Sequence, residues 1–279
     1  MNLLNWQNHF EKELQTLYTR AASQDLFKRI IRGLFNWEPT VVGLEPQRIP
    51  SQEKQQLLHH SLNELKAERP LQYILGHTYF MGLRLTVNAA TLIPRPETEE
   101  LVSWVLEETP VEHPNVLDIG TGSGCIALAI KQFQPRWQLH ALDVSQPALD
   151  VAKTNSKNLE LAVHFIGANI ETAIPKTAYD IIVSNPPYVT HKEKTEMKAN
   201  VLEYEPHQAL FAPVENPLHF YEAIFRFSQN GLRDAGILYF EINPIYCQAL
   251  KELAVSFGLQ NIQVRKDLFG KQRFIRIQK

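Results

Sequence analysis

Apolar positions in the first third of the chain recur every three to four residues, the spacing of one helix face. Leu3, Leu4, Phe10, Leu14, Leu17 and Tyr18 form one such stripe. Ser23 then reads as the N-cap of a second helix carrying Leu26, Phe27, Ile30, Ile31, Leu34 and Phe35. Pro39, Pro46 and Pro50 mark a loop. Ser51 opens a third helix with Leu57, Leu58, Leu62 and Leu65 inward, and Pro70 closes it. The pattern predicts a small helical bundle over residues 1–77. His59 and His60 are adjacent, so they cannot share one helix face, and no ligand constellation appears here.

Near residue 78 the period changes. Residues 78–91 read as a short hairpin turning at Met81-Gly82 and linking two halves of the chain. Over 92–279 strands and helices alternate. Strands are predicted at 115–119, 138–142, 163–166, 179–184, 237–242, 262–266 and 273–278. Helices are predicted at 97–107, 125–132, 146–158, 219–232 and 246–257. Strands separated by helices imply an α/β domain with a mostly parallel sheet covered on both faces. The last two strands, joined through Gly270, imply an antiparallel ending.

Composition narrows the class. The 279 residues are 44% hydrophobic with formal net charge -2, which suits a soluble globular protein with a proper core. That balance argues against a protein living on the nucleic-acid backbone. Residues 1–85, with 10 Lys+Arg against 8 Asp+Glu, are too even for a duplex-binding surface. Cys125 and Cys247 form no pairing framework, and no apolar run reaches membrane-spanning length. A cytoplasmic protein with no membrane partner and no direct nucleic-acid contact is expected, with a monomer favoured.

Two stretches carry chemistry. Val116-Leu117-Asp118-Ile119 runs into Gly120-Thr121-Gly122-Ser123-Gly124, a glycine turn between strand and helix where a ligand can approach the backbone. The spacing Gly122-x-Gly124-x-x-Ala127 also fits a dinucleotide fingerprint, so the glycines alone leave a nicotinamide enzyme open. Asp118 favours a cationic ligand such as S-adenosylmethionine over a pyrophosphate; equally, it could only bind loop N–H groups. Asp143, about twenty residues after the glycines, is placed to accept ribose hydroxyls or to cap the following helix.

The second stretch is Asn185-Pro186-Pro187-Tyr188, directly after Ile181-Ile182-Val183. Two prolines stiffen the break from strand to loop. The Asn185 amide oxygen and the Pro186 carbonyl can then aim two acceptors at one point, with the Tyr188 ring as a wall. A planar NH2 group needs that arrangement if its lone pair is to attack an electrophilic carbon.

Together with Arg69-Pro70-Leu71-Gln72-Tyr73-Ile74-Leu75-Gly76, Leu92-Ile93-Pro94-Arg95-Pro96-Glu97-Thr98-Glu99, Tyr204-Glu205-Pro206 and Asp267-Leu268-x-Gly270-x-x-Arg273, these stretches resemble the bacterial HemK-type methyltransferases. That family modifies a glutamine side chain of peptide chain release factors. The resemblance implies a helical recognition domain (1–77), the hairpin linker (78–91) and a Rossmann-like methyltransferase domain (92–279). It implies S-adenosylmethionine as donor, S-adenosylhomocysteine as product, and no metal. Carried over by motif, Gly120, Thr121, Gly122, Ser123, Gly124 and Asp143 would hold the cofactor, with Asp118 a candidate on its charge alone. Asn185 would touch cofactor and substrate, and Pro186, Pro187 and Tyr188 would line the glutamine site. Asn169-Ile170 stands where the family commonly has an acid and an aromatic residue beside the adenine. Asn169 can still hydrogen-bond an adenine amine, and Ile170 can pack but not stack. Arg95 and Glu97 border either the active site or only a helix start. A ribosomal-protein glutamine methyltransferase, a DNA adenine methyltransferase and a non-catalytic cofactor-binding adaptor are the other readings.

Overall fold

The computed structural model describes residues 1–109 and 111–279. The chain forms two compact units, one of residues 1–77 with 198–204, the other of residues 78–197 and 205–279.

The first unit contains α1 (Leu3–Leu14), α2 (Arg20–Phe35), the single turn α3 (Val41–Leu44), α4 (Gln52–Lys66) and α5 (Leu71–Leu75). Trp6, Phe10, Leu14, Phe27, Ile30, Ile31, Leu58, Leu62 and Leu65 make its core. The predicted stripe is wider than the face that packs, for Leu4, Leu17 and Leu57 lie exposed. The cap of α2 is Thr19, whose hydroxyl accepts the Ala22 N–H; Ser23 sits buried a turn further on. Ser51 does cap α4, accepting the Lys54 N–H. His59 packs edge-on against Trp6, with ring centroids 4.5 Å apart. Tyr204, far along the chain, donates its hydroxyl to the Ala67 carbonyl at 2.6 Å.

From β1 (His77–Phe80), which starts on the last residue of the first unit's opening segment, the chain runs on through β2 (Leu83–Thr86), α6 (Pro96–Glu108), β3 (Asn115–Ile119), α7 (Cys125–Phe133), β4 (Gln138–Asp143), α8 (Gln146–Leu159), β5 (His164–Gly167) and β6 (Tyr179–Ser184) of the second unit. The short α9 (Ala199–Tyr204) falls in the first unit. Then come α10 (His207–Leu210), α11 (His219–Gly231), β7 (Leu232–Glu241), α12 (Cys247–Ser256), β8 (Gln260–Lys266) and β9 (Gln272–Gln278). Seven strands form one sheet in the order β5-β4-β3-β6-β7-β9-β8. Pairing is parallel from β5 to β7, and β9 runs antiparallel to both its neighbours.

Alternate residues on the strands explain why the sheet is buried twice. Val116, Ile181, Val183, Ile237 and Tyr239 join the core that includes Leu101 and Val105 of α6 and Ile126 and Ile130 of α7. Leu117, Ile182, Leu238 and Phe240 join the opposite core with Ile224 of α11 and Leu250 of α12.

The hairpin is more than a linker. Phe80, Leu83 and Leu85 are buried in the first of these cores. Asn155 of α8 clamps its end, accepting the Thr86 N–H at 2.7 Å and donating to the Thr86 carbonyl at 3.0 Å. Apolar alternation in two four-residue strands has to be buried somewhere, and the sheet's own core takes it. Among the described residues, no helix is long and apolar enough to cross a membrane.

Candidate functional site

The chain leaves β3 for β4 and β5 on one side, then returns to β6 on the other, so strand order reverses between β3 and β6. Ligands of open α/β sheets bind at the carboxyl ends of strands flanking such a point. The glycine loop follows β3 and Asn185 follows β6, on either side of the reversal.

The loop is tied to β4, because the Gly120 and Thr121 N–H groups both donate to the Leu142 carbonyl. Gly120 and Gly122 have φ of +72° and +54°, and a Cβ on either would project into open space. Both line a cavity at the strand ends. Gly124 does different work: a Cβ there would meet Leu128 at 3.0 Å and Ala152 at 3.2 Å, so it permits close packing.

Asp118 lies fully buried under this loop and does not line the cavity. Its Oδ2 accepts the Thr121 hydroxyl at 2.6 Å and the Ala127 N–H at 3.3 Å, clipping strand to helix. Its Oδ1 is buried without a partner among the described residues. Burial pushes the carboxyl up to about 7. Thr121, Ser123 and Gly124 also stand behind the lining.

Asp143 ends β4 on the cavity wall. One carboxylate oxygen accepts the Gly122 N–H at 2.8 Å and the other the Ser145 N–H at 2.9 Å. Burial raises its pKa, and those N–H bonds oppose the rise. The cap of α8 is Ser145, which accepts the Ala148 N–H, so Asp143 is not needed for capping. Ala168, Ile170, Phe220 and Ile224 add apolar lining. Asn169 lines it too, but both ends of its amide engage Glu171.

Asn185, Pro186 and Pro187 line the same cavity, so three strand ends converge on it. The Asn185 NH2 group donates to the Thr98 hydroxyl at 3.2 Å. That hydroxyl donates to Glu241 Oε2 at 2.7 Å, and the Tyr188 hydroxyl donates to Glu241 Oε1 at 2.8 Å. Tyr188 therefore does not wall this cavity. Its ring sits beside Tyr221, Asn243 and Leu250 in a neighbouring recess. A half-buried phenol needs an acceptor, and Glu241 supplies one. Burial, with the Glu241 charge behind it, holds the Tyr188 pKa well above its ordinary value. Burial likewise raises Glu241.

Thr98, Glu241 and Glu205 brace the cavity from behind, a role the sequence gives none of them. Glu205, almost wholly buried, accepts the Ile93 N–H at 3.0 Å and the Arg95 guanidinium at 2.6 Å. It thereby joins residues 90–92 to Pro206, Gln208 and Ala209, all of which line the cavity. The Thr98 and Glu205 motifs were visible in the chain, but nothing local to them names their partners. Of the Pro96–Glu99 run, Glu99 accepts the Met81 N–H at 2.6 Å, a structural role in the hairpin.

Residues 5–76 match the PrmC N-terminal domain family and residues 98–210 the Methyltransferase small domain family. A release factor glutamine methyltransferase of Flavobacterium psychrophilum is 39% identical over 99% of each chain. One of Bacteroides thetaiotaomicron is 40% identical over 96% of each, and one of Streptococcus pneumoniae 38% identical over 99% of this chain and 98% of its own. Among solved structures, a methyltransferase from Pyrococcus furiosus superposes with TM-score 0.53 at 17% identity, covering 81% of this chain and 97% of its own. The human methyltransferase 10 domain containing protein gives 0.51 at 18%, covering 71% and 88%. These two show the fold.

Proposed function

The chain belongs to the release factor glutamine methyltransferases, and we propose that its cavity joins a methyl donor, held by the glycine loop and Asp143, to a glutamine gripped by Asn185. It is an S-adenosylmethionine-dependent enzyme that methylates the side-chain amide nitrogen of a glutamine in peptide chain release factors. The observation that carries the site assignment is that Gly120, Gly122, Asp143 and Asn185 line one cavity although three strands supply them.

The lining fits the donor. The space above Gly120 and Gly122 is where side chains would otherwise stand, and Asp118 supports the donor only indirectly, by clipping the loop from beneath. Asp143 offers acceptors for ribose hydroxyls, and the apolar lining around Ile170 and Phe220 suits a flat base. S-adenosylmethionine supplies an electrophilic methyl group on a sulfonium.

An amide nitrogen is a poor nucleophile because its lone pair is delocalised into the carbonyl. Asn185 Oδ1, which has no hydrogen-bond partner among the described residues, and the Pro186 carbonyl accept its two hydrogens. Held so, the amide nitrogen would keep its electron density for attack on a methyl group, whose bond to sulfur would break with S-adenosylhomocysteine as the leaving group. Orientation alone can contribute about 7–11 kcal/mol at most. After transfer the nitrogen carries a surplus proton, is strongly acidic and releases it. Tyr188 anchors the loop through Glu241 rather than contacting the reacting atoms. The helical unit, residues 1–77, recognises the body of the release factor, since a single glutamine offers too little surface for selection. The enzyme works where release factors work, in the cytoplasm.

The test is incubation with purified release factors and labelled donor, followed by mass mapping of the methyl group. A methyl on one glutamine side chain supports the reading. Transfer to another residue type, or to nucleic acid alone, overturns it.

A further inference from the structure

We propose that Thr98 and Glu241 are positioning residues that decide which end of the Asn185 amide faces the substrate. The inference deepens the function proposed above and rests on it.

An amide side chain presents an acceptor at one end and donors at the other, in nearly the same shape. Turned the wrong way, Asn185 would offer N–H groups to a substrate NH2 that needs an acceptor. Something must fix its orientation, and its backbone neighbours do not. Pro186 has no N–H, and the Ser184 hydroxyl is committed to the Ile119 carbonyl at 2.7 Å. Among the described residues the only partner of the Asn185 side chain is the Thr98 hydroxyl.

A hydroxyl can donate once and accept twice, so Thr98 alone could bind either end of the amide. Glu241 removes the choice. Its carboxylate is 2% exposed and takes hydrogens from Thr98 on one oxygen and Tyr188 on the other. With both oxygens accepting, it has no hydrogen to give back to Thr98. The single Thr98 hydrogen therefore points at Glu241, and only lone pairs face Asn185 at 3.2 Å. The NH2 end can bind there. The carbonyl end would set oxygen against oxygen lone pairs. Asn185 Oδ1 is thus turned to the cavity by a chain of two hydrogen bonds beginning at a buried carboxyl group on β7.

The same carboxylate holds Tyr188, so one group on a neighbouring strand steadies the first and last residues of the Asn185–Tyr188 loop. Thr98 is on α6, 87 residues before Asn185, and Glu241 lies 143 residues after Thr98. Three distant segments meet to set one dihedral angle.

The test uses the full chain with Thr98→Val, which keeps the shape and loses the hydroxyl, and Thr98→Ser, which keeps the hydroxyl. Thr98→Val should lower kcat at least tenfold, with KM for release factor and donor Kd within about twofold, because a misplaced catalytic group costs up to roughly 10²-fold. Thr98→Ser should return kcat to within about threefold of native. Glu241→Gln should lower kcat, and the double variant should lose less than the product of the two single losses, since both act through the Thr98 hydroxyl while Glu241 also holds Tyr188. Native kcat in Thr98→Val, equal loss in Thr98→Ser, or multiplicative losses in the double variant would each overturn the relay. Hydrogen exchange of the Asn185 side-chain NH2, followed by nitrogen-15 spectra without substrate, reads the same contact. It should quicken at least tenfold in Thr98→Val, and unchanged exchange also overturns the relay. If native protein left release-factor glutamine unmethylated, the functional reading would fall while the exchange measurement still decided the orientation.

Discussion

Arg95 and Glu205 stand 110 residues apart in the chain and 2.6 Å apart in space. The guanidinium is one-third exposed, the carboxylate nearly wholly buried. Glu205 also accepts the Ile93 N–H, so it binds a loop and a distant helix start into one cavity wall.

Removing the cation leaves a buried carboxylate with one N–H for company. Breaking a fully buried pair costs about 3–5 kcal/mol; the partial exposure of Arg95 should bring Arg95→Ala to about 2–3 kcal/mol, read from denaturant unfolding. Adding Glu205→Gln should recover part of the loss. A cost below about 1 kcal/mol, as for surface pairs, would show that the clasp is not structural.

Asn185→Ala should abolish most turnover while leaving the fold and donor affinity in place. Loss of one hydrogen-bonding group that organises a reacting centre costs about 10²–10³ in kcat. Near-native kcat at saturating substrate would remove Asn185 from the mechanism.

Asp143→Ala should weaken donor binding more than it slows the bound-state reaction, because ribose contacts are equal in ground and transition states. Hydrogen bonds to a charged group are worth about 1.5–3 kcal/mol each. The variant also loses the Gly122 and Ser145 N–H bonds, so melting temperature should fall as well. Unchanged calorimetric affinity would confine Asp143 to holding the loop.

Phe80 is 1% exposed in the core of the second unit. Phe80→Ala should destabilise that unit by about 3–5 kcal/mol, the usual range for emptying such a site. A loss under 1 kcal/mol in denaturant unfolding would return the hairpin to the role of a loose link.

The Asp118 carboxyl is pushed from its ordinary 3.8 up to about 7 by burial. Between those values the folded chain keeps a proton that the unfolded chain has released. Its contribution to stability therefore declines as pH rises through that window and is level above about 7. Asp118→Asn keeps an acceptor for Thr121 and Ala127 and abolishes the decline. Relative to native, the variant's melting temperature should climb from pH 4 to 7 and then hold steady. A difference independent of pH would mean that Asp118 titrates at its ordinary value.

The strands and helices of the second unit could be read from local pattern because its central strands are buried on both faces. Residues 115–119 and 179–184 each carry a continuous or nearly continuous apolar run, Val116-Leu117 with Ile119 and Ile181-Ile182-Val183, closed by Gly120 or by Pro186 just beyond Asn185. The functional ends were legible for the same reason. A glycine loop and a Pro-Pro break are backbone requirements, written in the residues that meet them. Short-range signals failed where two devices competed. Thr19 and Ser23 are both competent caps, and only packing of the buried Ser23 face decided for Thr19.

Asn185, Asp143, Gly120 and Gly122 were thus available from the chain itself, together with the α/β order that brings strand ends side by side. What the chain does not write locally is a partner. Thr98, Glu205 and Glu241 look like ordinary helix, loop and strand residues until the sheet places β7 beside β6 and α6 against both. Tyr188 followed the same rule, leaving the cavity because a buried carboxylate on the next strand took its hydroxyl. Periodicity reports which side of an element is buried. Only the tertiary structure decides what waits there, because a hydrogen bond depends on distance in space and not on separation along the chain.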